Sequence, residues 1–524
     1  MLHLSLDGEG PLHRQLYRAL RRAILDGAFP AGARLPASRV LAGDLALARN
    51  TVLQAFEQLL DEGYVAARTG SGTYVADSLP DDRVAVARDG ARVGTGPSAR
   101  SPLRLSRLAE RVAAAAPPGG VSWRIGRKTR LYDFRYGEPS YADLPLATWW
   151  RLHGRRARRV SARRLGYGAP GGAPELRRAL AAYLRRARGV VCEPRQVIVV
   201  RGTQQAIDLA MRVVVDPGER VVVEEPRYPG LSLSAAAAGA ELVSVAVDAG
   251  GLRVADLAAA GAARLICVTP SHQFPTGVIM PLARRLELLA LAARTGAFVL
   301  EDDYDSEFRF DGRPVESLQG LDRAGRVLYA GTASKLLFPA LRLGWLVVPP
   351  DLVEPFESVR ALADTGTATL DELVLADFIE GGHLERHVRR ARVRNGARRA
   401  ALLAALARHL GARARVSGTD AGLHVLVWLP EIPAARAAAL RREAAARDVG
   451  VYPVAPYYAH PPAAAGLVLG YAALTERAIE EGIARLAEAY DAVAGAGGDG
   501  KRAPRREQRV GGPSSSIRRR DKPR

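Results

Sequence analysis

Seven short runs rich in β-branched and other apolar residues, separated by longer helical patterns, limit what this chain can fold into. They read QVIVV (196–200), RVVVEEP (220–226), LVSVAV (242–247), LICVTP (265–270), AFVLEDD (297–303), VLYAGT (327–332) and LGWLVV (343–348). Near-continuous apolar runs of this kind belong to strands buried on both faces. Their alternation with helices predicts an α/β unit built on a mostly parallel sheet. Such a unit cannot occupy all 524 residues, because a single hydrophobic core rarely grows past about 250–300 residues.

A second unit precedes it. Leu12, Leu16, Leu20 and Ile24 recur every four residues and predict a helix that ends at Gly27. Ser38 to Leu45 predicts a short second helix. A third follows, with Val52, Ala55, Phe56, Leu59 and Leu60 on one face and Gly63 as its stop. The stretch YVAARTGSGTYVAD then reads as a hairpin about Thr69–Gly72. Three helices and a hairpin make a winged helix-turn-helix pattern. The expected organisation is therefore a winged helix over 1–76, a polar linker over 77–130, the α/β unit over 131–495, and a basic disordered tail over 496–524.

Several function classes drop out on composition. No run of about 18 apolar residues is present, which argues against a membrane span. The start, MLHLSLDGEGPLHRQ, lacks the basic-then-apolar pattern of a secretion signal, so a cytoplasmic protein is expected. Cys192 and Cys267 are too few for a disulfide framework, and no metal-ligand spacing is seen. The net charge of +20 suggests a polyanion partner, but the stretch from Asp499 to Arg524 alone contributes +7. Charge by itself decides little in a chain so rich in arginine.

The distribution of lysine is more telling. Among 75 basic residues only Lys128, Lys335, Lys501 and Lys522 are lysines. Two lie in the tail and one in the expected linker. Lys335 alone falls inside the α/β unit, in the small-residue turn of GTASKLLFPALRLGW (331–345). A primary amine can lose its proton and attack an aldehyde, whereas a guanidinium stays protonated. An unreplaced lysine in such a turn therefore reads as a Schiff-base lysine.

Other stretches join it. In VIVVRGTQQAIDLA a strand runs through a tight turn into a helix, and the backbone N–H groups of Gly202, Thr203 and Gln204 suit a phosphate. AFVLEDDYDSEF ends a buried strand on Asp302 and Asp303. These stretches, with EEPRYPG, TPSHQFPTG and LGYGAPGGAPELRRALAAYLRRARGV, resemble fold type I aminotransferases. LPASRVLAGDLALARNTVLQAFEQLLDEGYVAARTGSGTYV resembles the winged helix of GntR-type repressors. HQFPTG, EDDYDSEFRF and the Lys335 segment together resemble the MocR-type regulators, which join those two units. The resemblance covers about residues 11–75 and 131–490.

The resemblance implies pyridoxal 5'-phosphate as cofactor, with Lys335 carrying it. Ser334 and Arg342 would contact its phosphate and Asp302 its pyridine nitrogen, with neighbouring Asp303 a rival for that role. Tyr304 would reach the phenolate oxygen, and Tyr228 would stack on the ring. Tyr167 would cross a dimer interface to the partner's phosphate, so a homodimer is expected. In the winged helix, Arg49, Asn50 and Thr51 would meet base edges of double-stranded operator DNA, Arg39 would reach a phosphate, and Arg68 with Gly70 and Gly72 would form the wing.

Three departures from the aminotransferase pattern stand out. Phe274 replaces the asparagine that bonds the phenolate. Val468 takes the place of the C-terminal arginine that holds a substrate carboxylate. Gly230 offers no cation where an amino-acid-sensing relative has one. Either another arginine serves, with Arg227 and Arg309 nearby in sequence, or the ligand is not an ordinary amino acid. The reading is a transcriptional regulator that senses pyridoxal phosphate or an amine or amino acid condensed with it. The alternatives are an active aminotransferase with an accessory DNA-binding unit, and a large unit that only dimerises the winged helices.

Overall fold

The computed structural model describes residues 4–68, 71–80, 104–116, 130–311 and 316–495. It divides into two compact units, Met1–Arg104 and Leu105–Arg524. That division falls inside the span 77–130 assigned to a linker. The turn residues Thr69 and Gly70, most of the linker and the basic tail lie outside the described residues.

In the first unit, helices Leu12–Leu25, Ser38–Asp44 and Arg49–Asp61 precede an antiparallel pair, Val65–Arg68 with Gly72–Val75. Leu16, Leu20, Ile24, Val52, Ala55 and Leu59 form its core. Leu12 and Leu60, expected on the buried faces, are 50% and 42% exposed. A spacing of four residues drifts by about 40° per step on a helix of about 3.6 residues per turn. The first residue of the Leu12–Ile24 series has therefore rotated off the buried arc, and Leu60 flanks its own stripe.

The second unit is built on an eight-stranded sheet. Its strand order is Val197–Val200, Gly344–Val347, Val327–Thr332, Phe298–Asp303, Ala263–Val268, Arg220–Glu225, Glu241–Asp248, Gly251–Leu252. The five strands from Val327–Thr332 to Glu241–Asp248 run parallel. Gly344–Val347 is antiparallel to both neighbours, and Gly251–Leu252 to its one. All seven runs singled out in the sequence lie in this sheet. Alternate residues enter different cores: Val221, Val223, Leu265 and Leu300 pack on one face, Val222, Ile266, Val268 and Val299 on the other. Burial on both faces is what the unbroken apolar runs require.

A smaller antiparallel sheet, Arg415–Ser417, His424–Pro433, Ala464–Gly470 and Tyr452–Pro453, packs with helices His383–His409 and Glu476–Gly495. Within the expected linker, Arg107–Ala115 forms a helix. Ser106 caps it by accepting from the Ala109 N–H, and Arg111 donates to the carbonyls of Ala236 and Ala237. Cys192 and Cys267 are buried free thiols.

Candidate functional site

Parallel strands place their following loops at one edge of the sheet, where α/β units bind ligands. Gly202, Tyr228, the 269–277 loop, Asp302 and Lys335 all stand at or just beyond the C-terminal ends of such strands.

The alternation of Phe298–Asp303 separates its two acids. Asp302 shares the face of Leu300, the side on which helix Thr203–Val214 packs. Its neighbour points the other way. There Arg188 Nε donates to Asp303 Oδ2 at 2.7 Å, and the Tyr329 hydroxyl donates to the same oxygen at 2.6 Å. The Arg188 guanidinium, with those hydrogen bonds, outweighs burial and holds the Asp303 carboxyl below its usual range. Asp303, the rival the sequence left open, is thus committed to a structural ion pair. Asp302 is buried and its Oδ1 has no hydrogen-bond partner among the described residues. Burial, then the charges of Asp303 and Asp305, push its carboxyl up to about 8.

Lys335 follows strand Val327–Thr332. Its Nζ donates to the Gly137 carbonyl at 2.6 Å. Burial pulls the ammonium below its ordinary range, partly offset by Asp305 and Asp302. A nucleophilic lysine needs such a depression, since only its neutral form attacks.

A turn whose geometry suits an anion lies at the start of helix Thr203–Val214. Gly202 begins it at φ +86°, which side chains rarely adopt. The first-turn N–H groups of Thr203 and Gln204 have no intrahelical acceptor. The Arg342 guanidinium sits 3.6–3.8 Å from where a Gly202 Cβ would be, and Arg342 Nη2 donates to the Arg201 carbonyl at 2.7 Å. A cation beside a helix N-terminus suits an anion. Ser334, directly before Lys335, is buried, its N–H donating to Thr332 Oγ1 at 3.1 Å.

Tyr304 and Tyr228 flank Phe274, whose ring meets both edge-on at 6.4 and 6.3 Å. The Tyr304 hydroxyl lies 3.0 Å from His272 Nδ1, and His272 lies 3.1 Å from Asp305. His272, Asp305 and His424 form a buried group whose ligand-type atoms fall within 4.8 Å of one another. His272 Nδ1 lies within hydrogen-bond distance of both Asp305 and the Tyr304 hydroxyl, so we read the group as the support that orients Tyr304, while His272 Nε2 is buried without a partner among the described residues. The sequence reading missed this group, together with Arg188, Tyr329 and Gly137. Tyr167 is 93% exposed and lines a separate cavity of about 420 Å³ with Arg163, Arg164 and Thr369.

The residues fit pyridoxal phosphate. The decisive observation is Asp302: a buried carboxylate with an unpartnered oxygen is costly unless a cation or donor meets it. A protonated ring nitrogen is such a partner, and the cradle at Gly202 and Arg342 would take the phosphate.

In the winged helix, Arg39, Arg49, Asn50, Arg68 and Gly72 are exposed, and Thr51 is half-buried. Arg39 and Arg49 have no ion pair to another described residue. Arg68 lies over the Tyr74 ring at 4.6 Å. Arg49, Asn50 and Thr51 form the first turn of helix Arg49–Asp61. Gly70 lies outside the described residues.

Residues 12–75 match the family of bacterial regulatory proteins, gntR family, and residues 131–486 match aminotransferase class I and II. The probable rhizopine catabolism regulatory protein MocR of Rhizobium meliloti is 41% identical, over 95% of this chain and 97% of that protein. The pyridoxine biosynthesis transcriptional regulator PdxR of Corynebacterium glutamicum is 28% identical, over 75% of this chain and 78% of that protein. Among solved structures, the α-aminoadipate aminotransferase LysN of Thermus thermophilus, complexed with N-(5'-phosphopyridoxyl)-L-leucine, superposes with a TM-score of 0.68 at 27% identity, covering 75% of this chain and 98% of that one. No helix among the described residues is long and apolar enough to cross a membrane.

Proposed function

From the premise that the chain belongs to the MocR-type transcription regulators, we propose that it binds pyridoxal phosphate through Lys335 and reports the cofactor's state, or that of an amine joined to it, to operator DNA. The observation that carries this reading is the unpartnered, buried Asp302 on the same edge as a lysine whose ammonium is pulled down by burial. Such a pair is expensive to keep in a unit that only dimerises.

When bound, the cofactor supplies an aldehyde for primary amines and an electron-withdrawing ring. The chain's own residues do the rest. Lys335, its ammonium pulled down by burial, would take up the protons that an incoming amine nitrogen gives up. Asp302 holds the proton on the ring nitrogen. Arg342 and the N-terminus of helix Thr203–Val214 fix the phosphate. Tyr304, oriented by His272, is available to the phenolate oxygen. Arg49, Asn50 and Thr51 read bases, while Arg39 and Arg68 hold the backbone.

The enzyme alternative is disfavoured by Val468. It has no exposed surface and pairs with Leu426 and Tyr452 in the smaller sheet, so no arginine there can clamp a carboxylate. Turnover needs a substrate oriented by such remote contacts. Regulation needs something else: a ligand must favour one state of the protein over another, or it shifts nothing. The test is operator affinity of the cofactor-free protein with and without added pyridoxal phosphate, for wild type and Lys335→Ala. The reading expects a measurable change in the first and a blunted one in the second. Multiple turnover on common amino acids with no cofactor effect on DNA would favour the enzyme.

A further inference from the structure

We propose that the ligand entering beside Lys335 is a primary amine that carries no carboxylate. This rests on the reading that Lys335 holds pyridoxal phosphate, and it names the class of molecule that the site would take.

The wall next to the lysine is apolar and aromatic. Lys335 Nζ is bonded to the carbonyl of Gly137, and the preceding residue, Tyr136, has its ring 5.7 Å from Phe274. The Tyr136 and Tyr457 hydroxyls are hydrogen-bonded to each other. Phe274, Tyr457, Val454 and Val468 form one buried cluster, against which Tyr136, Tyr228 and Tyr304 pack. An ionised carboxylate placed here would lose its hydration and gain no ion partner.

The cations in the neighbourhood are paired, given to the phosphate, or set on the other strand face. Arg227 Nη1 donates to Glu225 Oε2 at 2.7 Å and to Ser244 Oγ at 3.0 Å, while its Nε donates to Ser232 Oγ at 2.8 Å. Arg135 is flanked by two carboxylates, Asp133 at 3.4 Å and Glu138 at 3.6 Å. Arg309 has no ion pair to another described residue and its Nε is buried without a hydrogen-bond partner, but its charge is felt at Arg285, which sits with Glu301 and Asp303 on the strand face turned away from Asp302. Arg342 belongs to the phosphate cradle. Nor can a cation be supplied from position 230: a Cβ on Gly230 would lie 2.1 Å from Gln204 Oε1 and 2.2 Å from the Tyr228 ring. A neutral or aromatic body is what remains compatible with this wall, since it can bury against the rings.

The exchange that admits such a ligand is balanced without an oxidant, a reductant or water. A bond from the incoming nitrogen to the cofactor's aldehyde carbon forms as the bond from Lys335 Nζ breaks. The two amine protons pass to Lys335, which leaves as a free amine.

The test uses the full-length protein reconstituted with pyridoxal phosphate and freed of excess cofactor. Its visible absorption band is titrated with matched pairs: 2-phenylethylamine against L-phenylalanine, and butylamine against 4-aminobutyrate. We expect each amine to half-saturate the spectral change at a concentration lower by on the order of tenfold than its carboxylated counterpart, the loss expected for an unpartnered buried charge. Equal or tighter binding of the amino acids would overturn the proposal, above all if Arg135→Ala or Arg227→Ala removes it. So would a band that no amine shifts. Lys335→Ala separates the two layers. If wild type shows no band that this substitution abolishes, the cofactor reading fails and this one with it. If that band is present but only amino acids shift it, this inference alone fails.

Discussion

Asp302→Asn removes one titrating group while keeping the shape of the side chain, and the structure fixes the sign of its effect. In the cofactor-free fold burial pushes the Asp302 carboxyl up to about 8 from its ordinary 3.8. A raised acid binds its proton more tightly in the folded state than in the unfolded one. Stability is therefore lost as pH rises from about 4 towards about 8, by at most about 1.4 kcal/mol per pH unit. Relaxation of the buried site reduces this, so we expect the stability of wild type relative to Asp302→Asn to fall by about 1–3 kcal/mol from about pH 5.5 to about pH 7.5. Glu224, Glu301 and Glu307 are also pushed up, each to about 7, but they are present in both proteins, so the difference isolates Asp302 together with its coupling to Glu224. All five tryptophans lie beyond residue 120, so denaturant melts followed by tryptophan fluorescence report the large unit alone. Saturating pyridoxal phosphate should reverse the ranking, because an ionised Asp302 meets the ring nitrogen and an amide supplies no charge. A wild-type-to-variant gap that is flat with pH, or equal stabilisation of both proteins by the cofactor, would refute the assignment.

Lys335→Ala should abolish any absorption band that borohydride reduces. A reducible adduct persisting on another lysine, with Lys128 the first to examine by peptide mapping, would contradict the assignment. Arg49→Ala should relax base preference at a cost of about 1–3 kcal/mol on operator DNA, whereas Arg39→Ala should weaken all sequences alike, both read by binding titrations on operator and random duplexes. Deleting the chain from Lys501 onward should reduce the salt dependence of non-specific binding, since its charges neutralise phosphates without reading bases. Gly230→Ala should weaken cofactor retention by about 1–3 kcal/mol, the usual scale for overpacking, because the added Cβ would fall 2.2 Å from the Tyr228 ring; equilibrium dialysis of pyridoxal phosphate reads it.

Features that declare themselves locally were legible in the sequence. The two-sided apolar runs gave away the sheet. The lone lysine among arginines and the glycine turn into a helix marked two positions that the fold brings to one edge of that sheet. What was not legible depends on pairs far apart in the chain. Lys335 meets Gly137 across 198 residues, and Arg188 meets Asp303 across 115. No local pattern says that Arg188, on the last turn of one helix, occupies one of two adjacent acids and leaves the other open. The His272–Asp305–His424 group is hidden for the same reason. Helix Arg107–Ala115 was within reach: Ser106 is a capping residue ahead of the helix-favouring run RLAERVAAA. The polar Gly/Pro-rich stretch before it masked the signal.

The departures at 230, 274 and 468 look independent in the sequence, but the fold makes them one change. Phe274 and Val468 share a buried cluster, Phe274 meets the Tyr228 ring edge-on, and Gly230 is the space that ring requires. Each position gives up a polar or cationic partner, and each apolar surface so created is covered by the others. An arginine restored at 468 alone would enter a cluster built of Phe274, Val454 and Tyr457, leaving a buried charge without an acceptor. A buried unsatisfied group costs about 1–3 kcal/mol and a charged one more. An amide restored at 274 alone would face the rings of Tyr136, Tyr228 and Tyr457. The three positions are therefore coupled through the Tyr228 ring and the Phe274 cluster, whereas Lys335, Asp302 and Arg342 make none of those contacts themselves. If the site holds pyridoxal phosphate as proposed, Lys335, Asp302 and Arg342 can serve it whatever stands at 274 and 468.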